Sequence, residues 1–156
     1  VFGKAWMSAT GITQDSMQGG GGKMAVTFLL TFVFSFFIAN MLEFIVIHQL
    51  YIYNMLMDAN GKAALQDPDS PISKAVNVLM STHGHSFRSY RHGALHGAIT
   101  GVFLALPIIA INAMFERKGF KYIAINAGFW IVSLTLMGAI VCHWQGFDYQ
   151  QMVMGK

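Results

Sequence analysis

The sequence predicts an all-α integral membrane protein, a helical bundle with three transmembrane spans. Three observations carry this prediction. Charged residues are 11% of the 156 and apolar residues 54%, against about 25% charged in ordinary soluble domains. The deficit is concentrated in three long stretches, near 24–53, 93–115 and 121–144, each at or above the ~20 residues that a bilayer core demands. Polar residues, glycines and prolines collect between these stretches, where turns and membrane interfaces need them. The length fits one membrane domain covering 1–156.

Residues 1–22 form an interfacial lead. Trp6 and Met7 lie beside Lys4, an amphipathic grouping expected of a segment resting at a membrane surface. They lack the basic start and apolar core of a signal peptide. Thr13 precedes Gln14, Asp15 and Ser16 and reads as a helix N-cap with acid in the first turn. The run Gly19 to Gly22 is expected to break any helix and to act as a hinge.

The first span, 24–53, is long enough either to tilt or to project its last turns, with Tyr51 and Tyr53, into the interface. Glu43 is its one formal charge beyond Lys23 at its edge. The polar connection 54–91 contains Ser70-Pro71, an N-cap followed by proline at the first helical position. Ile72, Ala75, Val76, Leu79 and Met80 then recur at helical spacing, predicting an amphipathic helix over 71–81. The second span, 93–115, carries Pro107, which is expected to kink it. The short turn Glu116-Arg117-Lys118-Gly119 forces the third span, 121–144, to return antiparallel beside the second. The tail 145–156 is polar.

Orientation is balanced by number, since five cations fall on either side of the three spans. The tight turn bearing Arg117, Lys118 and Lys121 outweighs a long loop. It places 116–121 in the cytoplasm and 54–91 outside. A formal charge of +3 without a Lys/Arg block argues against nucleic acid as a partner. Cys142 is the single cysteine, so no disulfide forms within the chain. Such a thiol reads as inert packing.

The segment FGKAWM, Phe2 to Met7, with Gly11-Ile12-Thr13, and the stretch INAGFWIVSLTLMGAIVCHW, Ile125 to Trp144, together form a pattern. It resembles that of the small bacterial multi-spanning membrane proteins of the domain-of-unknown-function 1761 family. Members carry a further hydrophobic helix before the FGKAW-type segment and a shorter middle loop. The resemblance thus implies a four-helix membrane fold, of which 1–156 holds three spans. It implies no reaction.

Four histidines, His83, His85, His92 and His96, fall within fourteen residues of each other. His92 and His96 are four apart and share a helix face, with Thr100 continuing it. His83 and His85 precede them in a Gly-containing loop and could complete a metal site. His48 and His143 are expected at the same membrane surface, because the first and third spans end there. Two axial histidines from different helices would also suffice for a haem. The competing reading is a set of solvated interfacial histidines beside Arg88 and Arg91, and it is preferred, since no HExxH-type motif or acidic residue accompanies them. No cofactor is therefore expected from sequence, with metal or haem as the alternative.

Gly93, Gly97 and Gly101 form a small-residue stripe that promises close helix contact. Ala124, Ala127, Gly128 and Gly138 offer it a partner within the chain, so packing inside the monomer competes with dimerisation. Asn40, Glu43, Asn112, Asn126 and Ser133 are polar groups within the spans, expected to face the bundle interior. No catalytic constellation is present. The sequence therefore favours a non-catalytic accessory or scaffold subunit, working by helix packing with copies of itself or with other membrane subunits in the bilayer. A histidine-ligated metal or haem protein is the first alternative. A small proton-coupled transporter or channel using Glu43 is the second, and three spans without an internal repeat offer it little.

Overall fold

The structure is a computed structural model and describes residues 2–11 and 21–144. The expected cap at Thr13 and the tail 145–156 lie outside the described residues. Helix α1 (Phe2–Thr10) contains the lead segment and contacts the last helix. It ends where Gly11 takes φ +75° and donates its N–H to the Met7 carbonyl at 2.9 Å. That left-handed stop is open to glycine at no steric cost.

Helix α2 (Gly21–Val46) carries the first span, Phe28–Val46. It takes in Gly21 and Gly22, so the glycine run does not break the helix across its whole length. Its last two members sit in a first turn seeded by the apolar run that follows. The helix also stops at Val46, short of the 24–53 reading. Beyond it the backbone bonds shorten to three-residue steps, with Leu50 N–H to the Ile47 carbonyl and Tyr51 N–H to that of His48. Gln49 turns aside and donates its amide to the Ser86 and His83 carbonyls at 2.7 and 3.2 Å. A polar side chain with distant partners thus ends the span, and α3 (Leu50–Met55) restarts the helix.

The connection is structured throughout by α4 (Ala59–Gln66) and α5 (Pro71–His83). Asp58 caps α4 by accepting from Gly61 N–H at 2.8 Å. Ser70 caps α5 by accepting from Ser73 N–H at 3.0 Å, with Pro71 following. Each cap satisfies a donor that the first turn cannot pair. Tyr53, Leu65 and Val76 bury together in a small second core. Its demand turns α5 so that Ser73 and Val76 face inward while Ile72 and Leu79 remain exposed.

The second span is one continuous rod, Tyr90–Phe115. It comprises α6 (Tyr90–Thr100), a π-helical turn (Gly101–Ala105) and α7 (Leu106–Phe115). Ser89 caps it by accepting from His92 N–H at 3.3 Å. Pro107 lacks the N–H that would pair the Phe103 carbonyl. The chain absorbs this with the wider turn, in which Leu106 N–H reaches the Gly101 carbonyl.

After Phe115 the hairpin closes with two bonds, Arg117 N–H to the Met114 carbonyl and Lys118 N–H to that of Ala113. Arg117 takes φ +56°, the position that glycine fills in most helix stops of this kind. Helix α8 (Phe120–His143) then returns as the third span. At 26 and 24 residues, these two spans are about 39 and 36 Å long, enough to cross a core of about 30 Å.

Packing is closest between α6 and α8. A Cβ added at Gly93 would collide with the Gly138 carbonyl oxygen, and one at Gly97 with that of Leu134. At Gly101 it would stand 2.7 Å from the Ile131 Cα. The stripe is therefore used inside the chain. Gly138 answers it from α8, whereas Gly128 has open space at its Cβ position. The main core lies where α2 meets α8, around Leu42, Val46, Ile47, Leu134 and Cys142. Large apolar side chains cover the outside, with Phe32 and Phe103 each about three-quarters exposed (73% and 75%). Such a surface suits lipid and would be costly in water.

Candidate metal centre

Three helix ends meet at one face of the bundle, namely the end of α2, the start of α6 and the end of α8. His48 stands two residues past Val46, while His92 and His96 occupy successive turns of α6. One ring nitrogen from each of the three lies within 4.8 Å of the other two. His48 Nε2 and His92 Nε2 are 2.9 Å apart, a hydrogen bond in which one ring donates and the other accepts. Ring centroids are 4.8 Å apart for His48–His92, 4.9 Å for His48–His96 and 4.5 Å for His92–His96. His48 is exposed and the other two are half-buried. The group sits at the rim of the bundle and is reachable from outside.

The surroundings hold these rings. Phe87 takes φ +63°, a left-handed conformation that costs a non-glycine residue roughly 1–2 kcal/mol. That turn brings its ring to 5.3 Å from His92 and 6.3 Å from His48, measured between centroids. The Phe87 carbonyl accepts from the Cys142 thiol at 3.4 Å, and the Val46 carbonyl accepts from it at 3.5 Å. The buried Cys142 thus contacts both the end of α2 and the loop before α6. Arg88 ties that loop to the end of α8, its Nε donating to the Cys142 carbonyl at 2.8 Å and its Nη2 to that of Trp144 at 2.5 Å. Thr100 Oγ1 donates to the His96 carbonyl at 2.8 Å.

Four-coordinate zinc with Zn–N bonds of about 2.0–2.1 Å sets ligand nitrogens roughly 3.3 Å apart. The observed group brackets that figure. The closest pair would open by a few tenths of an ångström, and the widest would close by about 1.5 Å, within reach of an imidazole rotation. Three neutral nitrogens, joined by no carboxylate among the described residues, favour zinc, copper or nickel over calcium or magnesium. Three protein ligands leave a fourth position open.

Of the sequence candidates, the structure brings His92 and His96 together. His83 and His85 are exposed and lie outside the group. The His83 carbonyl accepts from Gln49, and the carbonyl of His85 accepts from Arg88 N–H. Nearness in sequence placed them with the pair, but the loop carries them away from it. His48 is the third member of the group, which the four-histidine grouping omitted, and its signal was its place at the end of the first span. His143 reaches the same end of the bundle, where its ring stacks on Tyr90 at 3.8 Å.

The polar groups of the spans are not gathered in the interior. Asn40 is exposed and donates its amide to the Phe36 carbonyl four residues back at 2.8 Å. Asn126 does the same to the Tyr122 carbonyl at 2.8 Å. Each satisfies its amide donor on its own helix, which removes the need for a partner helix. Asn112 is exposed in the last turns of α7, and Ser133 is half-buried. Glu43 is in the last turn of α2 and lines a hollow of about 330 Å³ with Asn40, Ile140 and Trp144. It lies near a span end, away from the midplane.

Comparison with known proteins gives one family. A family model described as Protein of unknown function (DUF1761) matches residues 1–142. No curated protein and no solved structure matches the chain.

Proposed function

We propose, for a chain that belongs to the DUF1761 family of proteins of unknown function, that it is a membrane protein binding a transition-metal ion through His48, His92 and His96. The observation that carries this reading is the convergence of three imidazoles, His48 in the turn after α2 and His92 and His96 on α6, the first 44 residues from the second in sequence. The hydrogen bond between His48 and His92 pairs those two by itself; the approach of His96 to both rings is what favours a shared ion. An ion is favoured over haem. The direct His48–His92 contact leaves no slot for a macrocycle, whose axial nitrogens stand about 4 Å apart across the iron.

An accessory or scaffold role in a homo-oligomer or larger complex was motivated by the glycine stripe, the aromatic richness and the lack of a catalytic constellation. With that stripe packed against α8, the role keeps the last two supports, and lipid covers aromatic outer faces equally well. We place the protein in a bacterial inner membrane with 116–121 cytoplasmic, because Arg117, Lys118 and Lys121 crowd that turn. The histidine centre then faces the outside.

The test is metal content after purification by a tag without histidine, followed by zinc loading and dialysis. One zinc per wild-type chain is expected, lost in His48→Ala, His92→Ala and His96→Ala and kept in the double variant His83→Ala/His85→Ala. A wild-type chain that retains no metal, or a double variant that loses it as completely, would refute the reading.

A further inference from the structure

The second feature of this bundle is a cavity directly inward of the histidines. It holds about 430 Å³ between α2, the second span and α8, within the range of small-molecule sites. Phe37, Leu42, Ile45, Leu104, Ile108 and Trp130 are among its walls. Thr100 brings the hydroxyl in its lining, and that hydroxyl is already engaged with the His96 carbonyl. The indole of Trp130 brings the other polar side-chain group of the lining, and the rest of the wall is apolar, so an apolar occupant suits it.

Its upper end lies about one helix turn below His96, and none of the three histidines is among its walls. Thr100 is four residues after His96 and so lies beneath it on one helix face, and Ile45 is three residues before His48. Its side opens to the bilayer, since Phe37, Leu104 and Ile108 are each more than half exposed (57%, 55% and 52%). Leu104 and Ala105 of the π-helical turn form part of the wall, and such turns recur at functional sites. At the top, a divalent ion on three neutral imidazoles keeps its full charge and one open coordination position. Arg91 is exposed one residue from His92. Arg88 is committed to the α8 carbonyls.

We infer that the bundle binds one anionic lipid from the bilayer, its acyl chain in this cavity and an oxygen of its head on the metal. This rests on the metal reading above. The tail supplies the apolar surface that the cavity lacks, and the head supplies the anionic donor that the ion lacks. With the cavity and the histidines about one helix turn apart on α6, a single amphiphile is the fitting occupant.

The test uses the full chain, zinc-loaded, with phosphatidylglycerol and phosphatidylcholine offered as probes and adducts read by native mass spectrometry. One retained phosphatidylglycerol per chain is expected, preferred over phosphatidylcholine by about tenfold. Ala105→Phe, which fills the cavity, should abolish retention while zinc stays at one per chain. Ile108→Trp, at the exposed rim, does the same if the first variant fails to fold. Zinc-free wild type should lose the preference between head groups. Equal retention of both lipids, or undiminished retention in a folded, zinc-bound cavity variant, would overturn the lipid proposal and leave the metal site standing. A chain that holds no zinc in the same spectra would remove both.

Discussion

Substituting Gly97 by alanine tests the packing on which the histidine geometry depends. A Cβ at Gly97 would overlap the Leu134 carbonyl oxygen, with Thr135 Cα also at 3.0 Å. Both obstacles are backbone, so no rotamer change relieves them. At neighbouring Gly101 the new atom would stand 2.7 Å from Ile131 Cα, and ordinary contact begins near 3.4 Å. That site alone requires about 0.7 Å of separation, and Gly97 requires more. A gap of 0.5–1 Å forfeits a quarter to a half of each dispersion contact along the helix pair, and overpacking of this kind costs about 1–3 kcal/mol. Taking the upper figure for a backbone obstacle, and crediting alanine with about 1 kcal/mol of helix propensity, leaves a net loss of about 2 kcal/mol. That is roughly a 30-fold fall in the folding constant.

The assay is reversible unfolding in mixed micelles, with Gly128→Ala as its control. Gly128 has open space at its Cβ position, so that variant should hold or gain up to about 1 kcal/mol. If Gly97→Ala matched Gly128→Ala in stability while a dimer dissociated, the stripe would be an interface between copies. The intramolecular reading would then be wrong.

Gln49→Ala removes both bonds between the break after α2 and the loop near His83 and Ser86. It is expected to weaken zinc binding about 10- to 100-fold through loss of ligand orientation, with calorimetric titration as the measurement; unchanged affinity would show that His48 is held without it. Arg88→Lys keeps the charge but loses the planar fork that reaches two carbonyls. It should cost about 1.5–3 kcal/mol and speed proteolysis of the 84–89 loop, and an unaffected cleavage rate would count against that tie. Ser70→Ala deletes the α5 cap, and about 1 kcal/mol of local stability should go with it. Hydrogen exchange over 71–76 should rise while the spans stay protected.

Span existence was legible because it is an additive property of a window. Each residue between Phe28 and Val46, or between Phe120 and His143, contributes its own transfer energy whatever its neighbours in space. Caps were legible for the same local reason, since Ser70 meets Ser73 N–H within one turn. So was close packing at Gly93, Gly97 and Gly101, although its partner was open. Pro107 was expected to kink the second span, but that the chain opens a π-helical turn at Gly101–Ala105 is not readable from one proline.

The sequence by itself determined that three apolar helices cross a membrane and that histidines gather at one surface. Which histidines meet was decided only by tertiary structure. Their meeting depends on how α2 and α6 each sit against α8, α2 through Leu42 and Val46 on Leu134 and Cys142, and α6 through backbone contacts of Gly93 and Gly97 with Gly138 and Leu134. His83 is nine residues from His92 and stays out of the group, while His48 is 44 residues away and meets it at 2.9 Å. Sequence distance measures the length of chain between two groups; helix contact fixes where they stand.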